Sequence, residues 1–355
     1  MFNKGLLFMR MDICLCSDEN YAKYMAATIA SILSNSKEDE ELYFHLIVDD
    51  DVTDDSKNKI LSLKKIKNCE MKFYRPDVEK YKNWYELGSY NGAFSPAMFY
   101  RLNIHRLIPD VDKVLYLDCD IIVRNSLIEL FQIDISNRYG LVVKSVIEDK
   151  DINIRNKMKF SDSDFYFNSG FFMINSKLWR ENNIDNMFNE YYINNYQSGI
   201  YGDQHILNYC LKGNVIDVGF KWNFIATKSL TYYYIPKLED INILHYGYLK
   251  PWKHIKGILF VDEFWKYYQL TPWFLERPID AIQTILAQKY GDYEETKLKI
   301  NDVRCFGVYH NRNTLEIVIF FIKIKIEMSF KNVNKIAWFI PVKKWREAFK
   351  RSFDV

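Results

Sequence analysis

The sequence predicts an α/β domain with a mainly parallel, doubly wound sheet, from three observations. Short apolar runs alternate with helical periodicity over the first two thirds of the chain. The runs are near-continuous rather than alternating, as expected for strands covered on both faces. Paired polar residues stand at the ends of several runs, where open α/β sheets keep their ligand crevice.

In order along the chain, Asp12-Ile-Cys-Leu-Cys16 reads as a first strand, Ser17 to Asn20 as its exit loop and Tyr21 to Leu33 as a helix. Leu42 to Val48 is a second strand. The acidic cluster after it (Asp49, Asp50, Asp51, Asp54, Asp55) reads as a solvated loop capping a helix around Ser56 to Leu63. Glu70 to Tyr74 is a third strand, and Ala97 to Leu107 looks helical. Leu115 to Leu117 and Ile121 to Val123 read as one buried parallel strand. Leu141 to Val146 and Phe165 to Asn175 are further strands. Lys177 to Tyr196 is mostly helix, and Gln204 to Leu211 is a short helix after a break at Gly202-Asp203. From Thr271 the pattern changes to a proline-punctuated helical segment, strand-like pieces from Arg304 to Phe330 and a basic aromatic tail. The predicted domains are therefore 11–270 and 271–355.

Composition narrows the function classes. A net charge of +2 argues against nucleic acid as the main partner. The cysteines (Cys14, Cys16, Cys69, Cys119, Cys210, Cys305) include no C-x-x-C pair, so neither a zinc site nor a disulfide framework follows. That usage fits a reducing cytoplasm. Met1 to Met11 lacks the long apolar stretch and cleavage site of a signal peptide, and no run approaches the roughly 18 apolar residues of a spanning helix.

The most informative run is Lys113-Val-Leu-Tyr-Leu-Asp-Cys-Asp-Ile-Ile-Val123. Two carboxylates, Asp118 and Asp120, stand amid apolar residues, where an ionised side chain is costly without a cation or strong donors. Alternate residues of an extended chain face the same way, so both can address one divalent metal carrying a phosphorylated substrate. The same D-x-D spacing also suits a solvated turn that caps a helix.

Four further segments, with the D-x-D, form a recognisable order: Cys16-Ser-Asp18-Glu-Asn20-Tyr21; Met98-Phe-Tyr-Arg101-Leu; Tyr166-Phe-Asn168-Ser-Gly170 through Asn175; and Gly202-Asp203-Gln204-His205-Ile-Leu-Asn208. A fifth, His245-Tyr-Gly247-Tyr-Leu-Lys250-Pro-Trp252, completes it. From about Met11 to Trp252 the chain resembles glycosyltransferase family 8, retaining hexosyltransferases of GT-A fold that include bacterial lipooligosaccharide galactosyltransferases and glycogenin.

The resemblance implies a UDP-sugar donor and Mn²⁺, with Mg²⁺ an alternative. Asp118, Asp120 and His245 would be the metal ligands. Asp18, Asn20 and Tyr21 would hold the nucleoside, and Arg101, Asn168 and Gly247 would contact the nucleotide sugar; taken alone, Arg101 reads equally as a surface residue that snorkels. Asp203 and Gln204 would face the reacting sugar, and Lys250 would meet the leaving diphosphate. Two departures stand out. His205 occupies a position that is often acidic, which favours front-face attack over a carboxylate nucleophile. One residue fewer than usual separates His245 from Gly247.

The acceptor implied is a glycan or glycolipid such as lipopolysaccharide, lipooligosaccharide or capsule. The tail interleaves Lys331, Lys335, Lys343, Lys344, Arg346, Lys350 and Arg351 with Trp338, Phe339, Trp345, Phe349 and Phe353. It reads as a contact for an anionic membrane surface, placing the enzyme in the cytoplasm or peripherally on the membrane's inner face. A helix docked on the protein's own surface is the other reading of the tail. A non-catalytic nucleotide-sugar or glycan binding protein on the same fold is the alternative function. A nucleotidyltransferase would carry a glycine-rich phosphate loop after the first strand, and Ser17 to Tyr21 has no glycine.

Overall fold

The computed structural model describes residues 9–88, 95–196, 202–228, 235–253, 257–276, 278 and 285, with the backbone of 306–311, 314–319 and 322–327. The chain divides into two compact units, Met1–Ile285 and Leu286–Val355.

In the first unit, β1 (Met9–Ser17), β2 (Glu40–Val48), β3 (Glu70–Tyr74), β4 (Lys113–Leu117), β6 (Gly140–Lys144), β7 (Phe167–Asn175) and β8 (Val215–Asp217) form one sheet in the order β3-β2-β1-β4-β7-β6-β8. Every pairing is parallel except those of β7, which runs antiparallel to β4 and β6. This is the mainly parallel α/β sheet, with helices on both faces, that the sequence predicts. A second, three-stranded sheet has the order β5 (Ile121–Val123), β10 (Ile243–His245), β9 (Phe224–Ile225). The run from Leu115 to Val123 is therefore not one strand. The backbone leaves the large sheet after Leu117 and enters the small one at Ile121, and the paired aspartates sit at the junction.

The helix Glu19–Asn35 lies between the two sheets. Asp18 caps it, its Oδ1 accepting the Tyr21 N–H at 3.0 Å. Ala22, Met25, Ala26, Ile29, Ala30 and Leu33 repeat at helical spacing and pack on the large sheet. Tyr24 and Ala27 face Ile122, Leu244 and Phe264 on the small-sheet side. The sequence places Asn20 in a loop, but the helix starts one residue earlier, at Glu19.

Other boundaries also shift. Residues 96–107 are a 3-10 helix, Pro96–Asn103, followed by a single α turn, Ile104–Leu107. The helical stretch after Asn175 is two helices, Ser176–Glu181 and Ile184–Asn195, separated where Asn183 takes φ +50°. The last helix of this region is Gly202–Leu211, so Asp203 lies inside it rather than in a preceding break. After the acidic loop, Thr53 is the residue that caps the helix Asp54–Leu61. Asp50 instead pairs with Arg75 at 2.6 Å.

Cys14, Cys16, Cys69, Cys119 and Cys210 are buried free thiols. Among the described residues no helix is long and apolar enough to cross a membrane. In the second unit β11 (Phe306–Asn311), β12 (Thr314–Ile319) and β13 (Ile322–Glu327) form an antiparallel meander. Cys305 and the basic aromatic tail lie outside the described residues.

Candidate active site

Register brings the D-x-D together with two distant segments. Leu117 pairs with Phe171, and the Asp118 N–H donates to Gly170 O at 2.8 Å. On the other side Ile121 pairs with His245, and the Tyr246 N–H donates to Asp120 O at 2.9 Å. One ligand atom each from Asp118, Asp120 and His245 lies within 4.8 Å of the others. His245 Nε2 is 3.2 Å from Asp120 Oδ1 and 3.7 Å from Asp118 Oδ2. Both His245 Nε2 and Asp120 Oδ1 are buried without a hydrogen-bond partner. The three residues could together hold a metal ion.

Glycine makes this convergence possible. A β-carbon on Gly170 would fall 2.5 Å from Asp118 Oδ2 and closer still to His245 Cε1. One on Gly247 would stand 3.1 Å from His245 Nε2, on the nitrogen that faces the aspartates.

Two cations secure the carboxylates. Lys250 Nζ donates to Asp120 and to the carbonyls of Tyr246 and Gly247, both at 3.0 Å. Burial works against both charges of this pair. Lys250 and His245 nevertheless hold Asp120 well below the usual carboxylate range, and Asp120 pushes Lys250 up. Arg101 is 8% exposed and so is no snorkelling surface residue. Its Nη2 is 2.9 Å from Asp118, its Nε is 3.2 Å from Asp203, and it donates through Nη1 to Ser169 O at 2.9 Å. Its plane lies 4.4 Å over the Tyr116 ring, whose hydroxyl donates to Asp118 at 2.5 Å. Burial, with Asp118 nearby, raises the Asp203 carboxyl against the pull of Arg101.

The remaining candidates fall on the same cleft of about 830 Å³, which is lined by all the residues given a metal, donor or catalytic role in the sequence analysis. Asp18 spends one oxygen on its helix cap, and Asn20 is exposed beside it. Tyr21 sets its ring edge-on to Trp252 at 5.9 Å, and Trp252 stacks on Tyr24 at 3.5 Å, fastening the loop after His245 to the first helix. Asn208 donates to Phe167 O and accepts its N–H, each at 2.8 Å, which ties the helix Gly202–Leu211 to β7. Asn168 Nδ2 then meets Gln204 Oε1 at 3.1 Å. The imidazole of His205 is bound to the Tyr166 hydroxyl at 2.7 Å, and burial pushes it down to about 4, so it is neutral near pH 7.

The family model for glycosyl transferase family 8 matches residues 12–256. The chain belongs to glycosyl transferase family 8. A putative glycosyltransferase of Haemophilus influenzae is 32% identical over 222 residues, spanning 61% of this chain and 64% of that protein. A lipopolysaccharide 1,2-glucosyltransferase of Escherichia coli is 30% identical over 274 residues, 72% of this chain and 77% of that one. Among solved structures, the galactosyltransferase LgtC in complex with donor and acceptor sugar analogues superposes with a TM-score of 0.65 at 25% identity. That match covers 74% of this family 8 chain and 96% of LgtC. The fold is accordingly GT-A, and the protein is a glycosyltransferase.

Several residues of this family 8 site escape a reading of the sequence. Tyr116 and Asn223 are single polar atoms in apolar runs. Glu148 and Tyr248 meet across the cleft, the Tyr248 hydroxyl donating to Glu148 at 2.5 Å. The available signal is a polar side chain where the strand pattern calls for an apolar one, as at Asn223 between Trp222 and Phe224.

Proposed function

We propose that the chain transfers galactose or glucose from a UDP-sugar to a surface glycan acceptor such as lipopolysaccharide, lipooligosaccharide or capsule. Anomeric configuration is retained, and the reaction requires Mn²⁺, or Mg²⁺ in its place. The observation that carries this reading is the convergence of Asp118, Asp120 and His245, ligand atoms within 4.8 Å of one another.

The donor set of two carboxylates and an imidazole suits Mn²⁺. The charge of the cleft argues the same way. Among the described residues, Asp18, Asp118, Asp120, Glu148 and Asp203 line it against Arg101 and Lys250. A diphosphate entering that excess of negative charge would be repelled unless a divalent cation came with it. When bound, such an ion supplies Lewis-acid stabilisation of the leaving diphosphate.

The chain's own residues divide the rest of the work. Lys250 adds positive charge where the leaving group gains negative charge. Asp18, Asn20 and Tyr21 hold the nucleoside at one end of the cleft. Arg101, Asn168, Asp203 and Gln204 form the wall against which the hexose is oriented, and Gly247 leaves room beside His245. With His205 neutral and bound to Tyr166, the acceptor attacks on the face that the diphosphate leaves. The similarity to an Escherichia coli lipopolysaccharide 1,2-glucosyltransferase supports the acceptor class, and the LgtC complex with sugar analogues supports a sugar donor. The basic aromatic tail would hold the enzyme at the inner membrane surface.

The test is UDP release from a panel of UDP-hexoses with and without Mn²⁺. Slow metal-dependent hydrolysis of one donor is expected. No release from any donor in the presence of Mn²⁺ would sink the proposal, leaving a non-catalytic binding protein.

A further inference from the structure

Hydrogen-bond direction around His245 is set by the backbone of β7. Peptide N–H groups can only donate. The Gly170 N–H donates to Asn168 Oδ1 and the Ser169 N–H to Gln204 Oε1, each at 3.0 Å. Both amide oxygens are thereby identified, which leaves Asn168 Nδ2 donating to Gln204 Oε1 at 3.1 Å. Asn223, 4% exposed, places one amide atom 2.9 Å from Asn168 Oδ1. An oxygen there would face an oxygen, so that atom is Nδ2.

The other amide atom, Asn223 Oδ1, stands 2.8 Å from His245 Nδ1, and a carbonyl oxygen can only accept. His245 Nδ1 therefore carries a proton. In the neutral ring Nε2 keeps its lone pair, and Nε2 is the atom that faces Asp118 and Asp120 with no hydrogen-bond partner.

We propose that Asn223 is a positioning residue that reserves His245 Nε2 for a divalent cation by holding the ring as the Nδ1–H tautomer. This inference rests on the metal role given to His245 above. A histidine free in solution favours the opposite tautomer, with its proton on Nε2. The two carboxylates facing Nε2 also favour a proton there. Turning the Asn223 amide to allow it would set oxygen against oxygen at Asn168, so two peptide N–H groups of β7 fix the tautomer through three side-chain amides, those of Gln204, Asn168 and Asn223. Partners of this kind orient metal-bound histidines and raise their basicity.

The experiment uses the full-length protein with ¹⁵N-labelled histidine, free of metal and at a pH where the His245 ring is neutral. Long-range ¹H–¹⁵N spectra report which ring nitrogen is protonated, and His245→Gln identifies the signal among the six histidines. Mn²⁺ affinity is measured in parallel by electron paramagnetic resonance titration.

Wild type is expected to show Nδ1–H. Asn223→Leu, which lacks the acceptor, should move the proton toward Nε2 and weaken Mn²⁺ binding about 10- to 100-fold. Asn223→Asp, which offers only oxygen acceptors, should also hold Nδ1–H, although its second oxygen then faces Asn168 Oδ1. A neutral wild-type ring protonated on Nε2 overturns the inference, as does Asn223→Leu with unchanged tautomer and affinity. Should the Leu variant not fold, Nε2–H in Asn223→Asp overturns it equally. Wild type that binds no Mn²⁺ sinks the functional reading, whereas Nε2–H in a wild type that does bind Mn²⁺ sinks this inference alone.

Discussion

The hydroxyl of Thr28 hydrogen-bonds the carbonyl of Cys119, the residue between the paired aspartates, at 3.0 Å, and shares its proton with Ile121 O at 2.8 Å. Two more residues of the same helix continue the clamp. Ser31 Oγ accepts the Val123 N–H at 3.0 Å, and Asn35 Nδ2 donates to Val123 O at 3.0 Å. A turn between two sheets leaves backbone groups that neither sheet pairs, and the helix supplies their partners. Thr28→Val keeps the shape and removes the donor. It should cost about 1–3 kcal/mol in urea unfolding and weaken Mn²⁺ binding, while Thr28→Ser should stay near wild type. A Val variant as stable as wild type would show that the turn holds without this helix.

Crowding at Gly170 makes a sharper prediction about the same turn. A methyl group there meets Asp118 Oδ2 at 2.5 Å and His245 Cε1 even closer, and His245 is buried and held by its bond to Asn223. Gly170→Ala should destabilise the fold by about 1–3 kcal/mol. Its effect on the cation should be larger in proportion, about 10- to 100-fold in Mn²⁺ affinity. Calorimetric titration decides it. An Ala variant with wild-type affinity would mean that these side chains are not the ligands.

Much of this was legible in the chain, for identifiable reasons. Strands and helices alternate because apolar periodicity is local, and the residues given a metal, donor or catalytic role do line one cleft. The passage of the backbone from one sheet to another at Cys119 was not legible. Leu115–Leu117 and Ile121–Val123 have the same apolar character whether they continue one strand or begin another. Arg101 was open between surface and site, because its partners Asp118 and Asp203 come from other elements. Asn223 gave only the signal of an amide between Trp222 and Phe224, and what it touches is decided by register in the small sheet.

Arg101 holds two carboxylates at once, Asp203 buried and Asp118 half-buried, so removing it should expose their repulsion. Arg101→Met leaves Asp118 and Asp203 without their shared cation and should cost about 3–5 kcal/mol. Arg101→Lys should recover little, since a point charge cannot span both partners as the planar fork does. Asp203→Asn in the Met background should restore roughly 1–3 kcal/mol, the coupling expected of groups in one charge network. A double-mutant cycle in urea measures it, and strict additivity would sever the link between Arg101 and Asp203.

Acid sensitivity should come partly from two histidines that take no part in metal binding. Burial pushes His105 and His205 down to about 4 from an ordinary value of 6.5, the Asp185 carboxylate only partly opposing this at His105. Between those values the unfolded chain binds protons that the folded chain refuses, so stability rises with pH through the window. It is fully present above about pH 6.5 and lost as pH falls toward 4, at roughly 2 kcal/mol per histidine by about pH 5. Urea unfolding of the metal-free protein at about pH 7.5 and about pH 5 should show this loss. A double variant, His105→Gln with His205→Gln, should lose most of the difference between the two pH values. If the variant is as acid-sensitive as wild type, the two imidazoles are not buried as neutral groups.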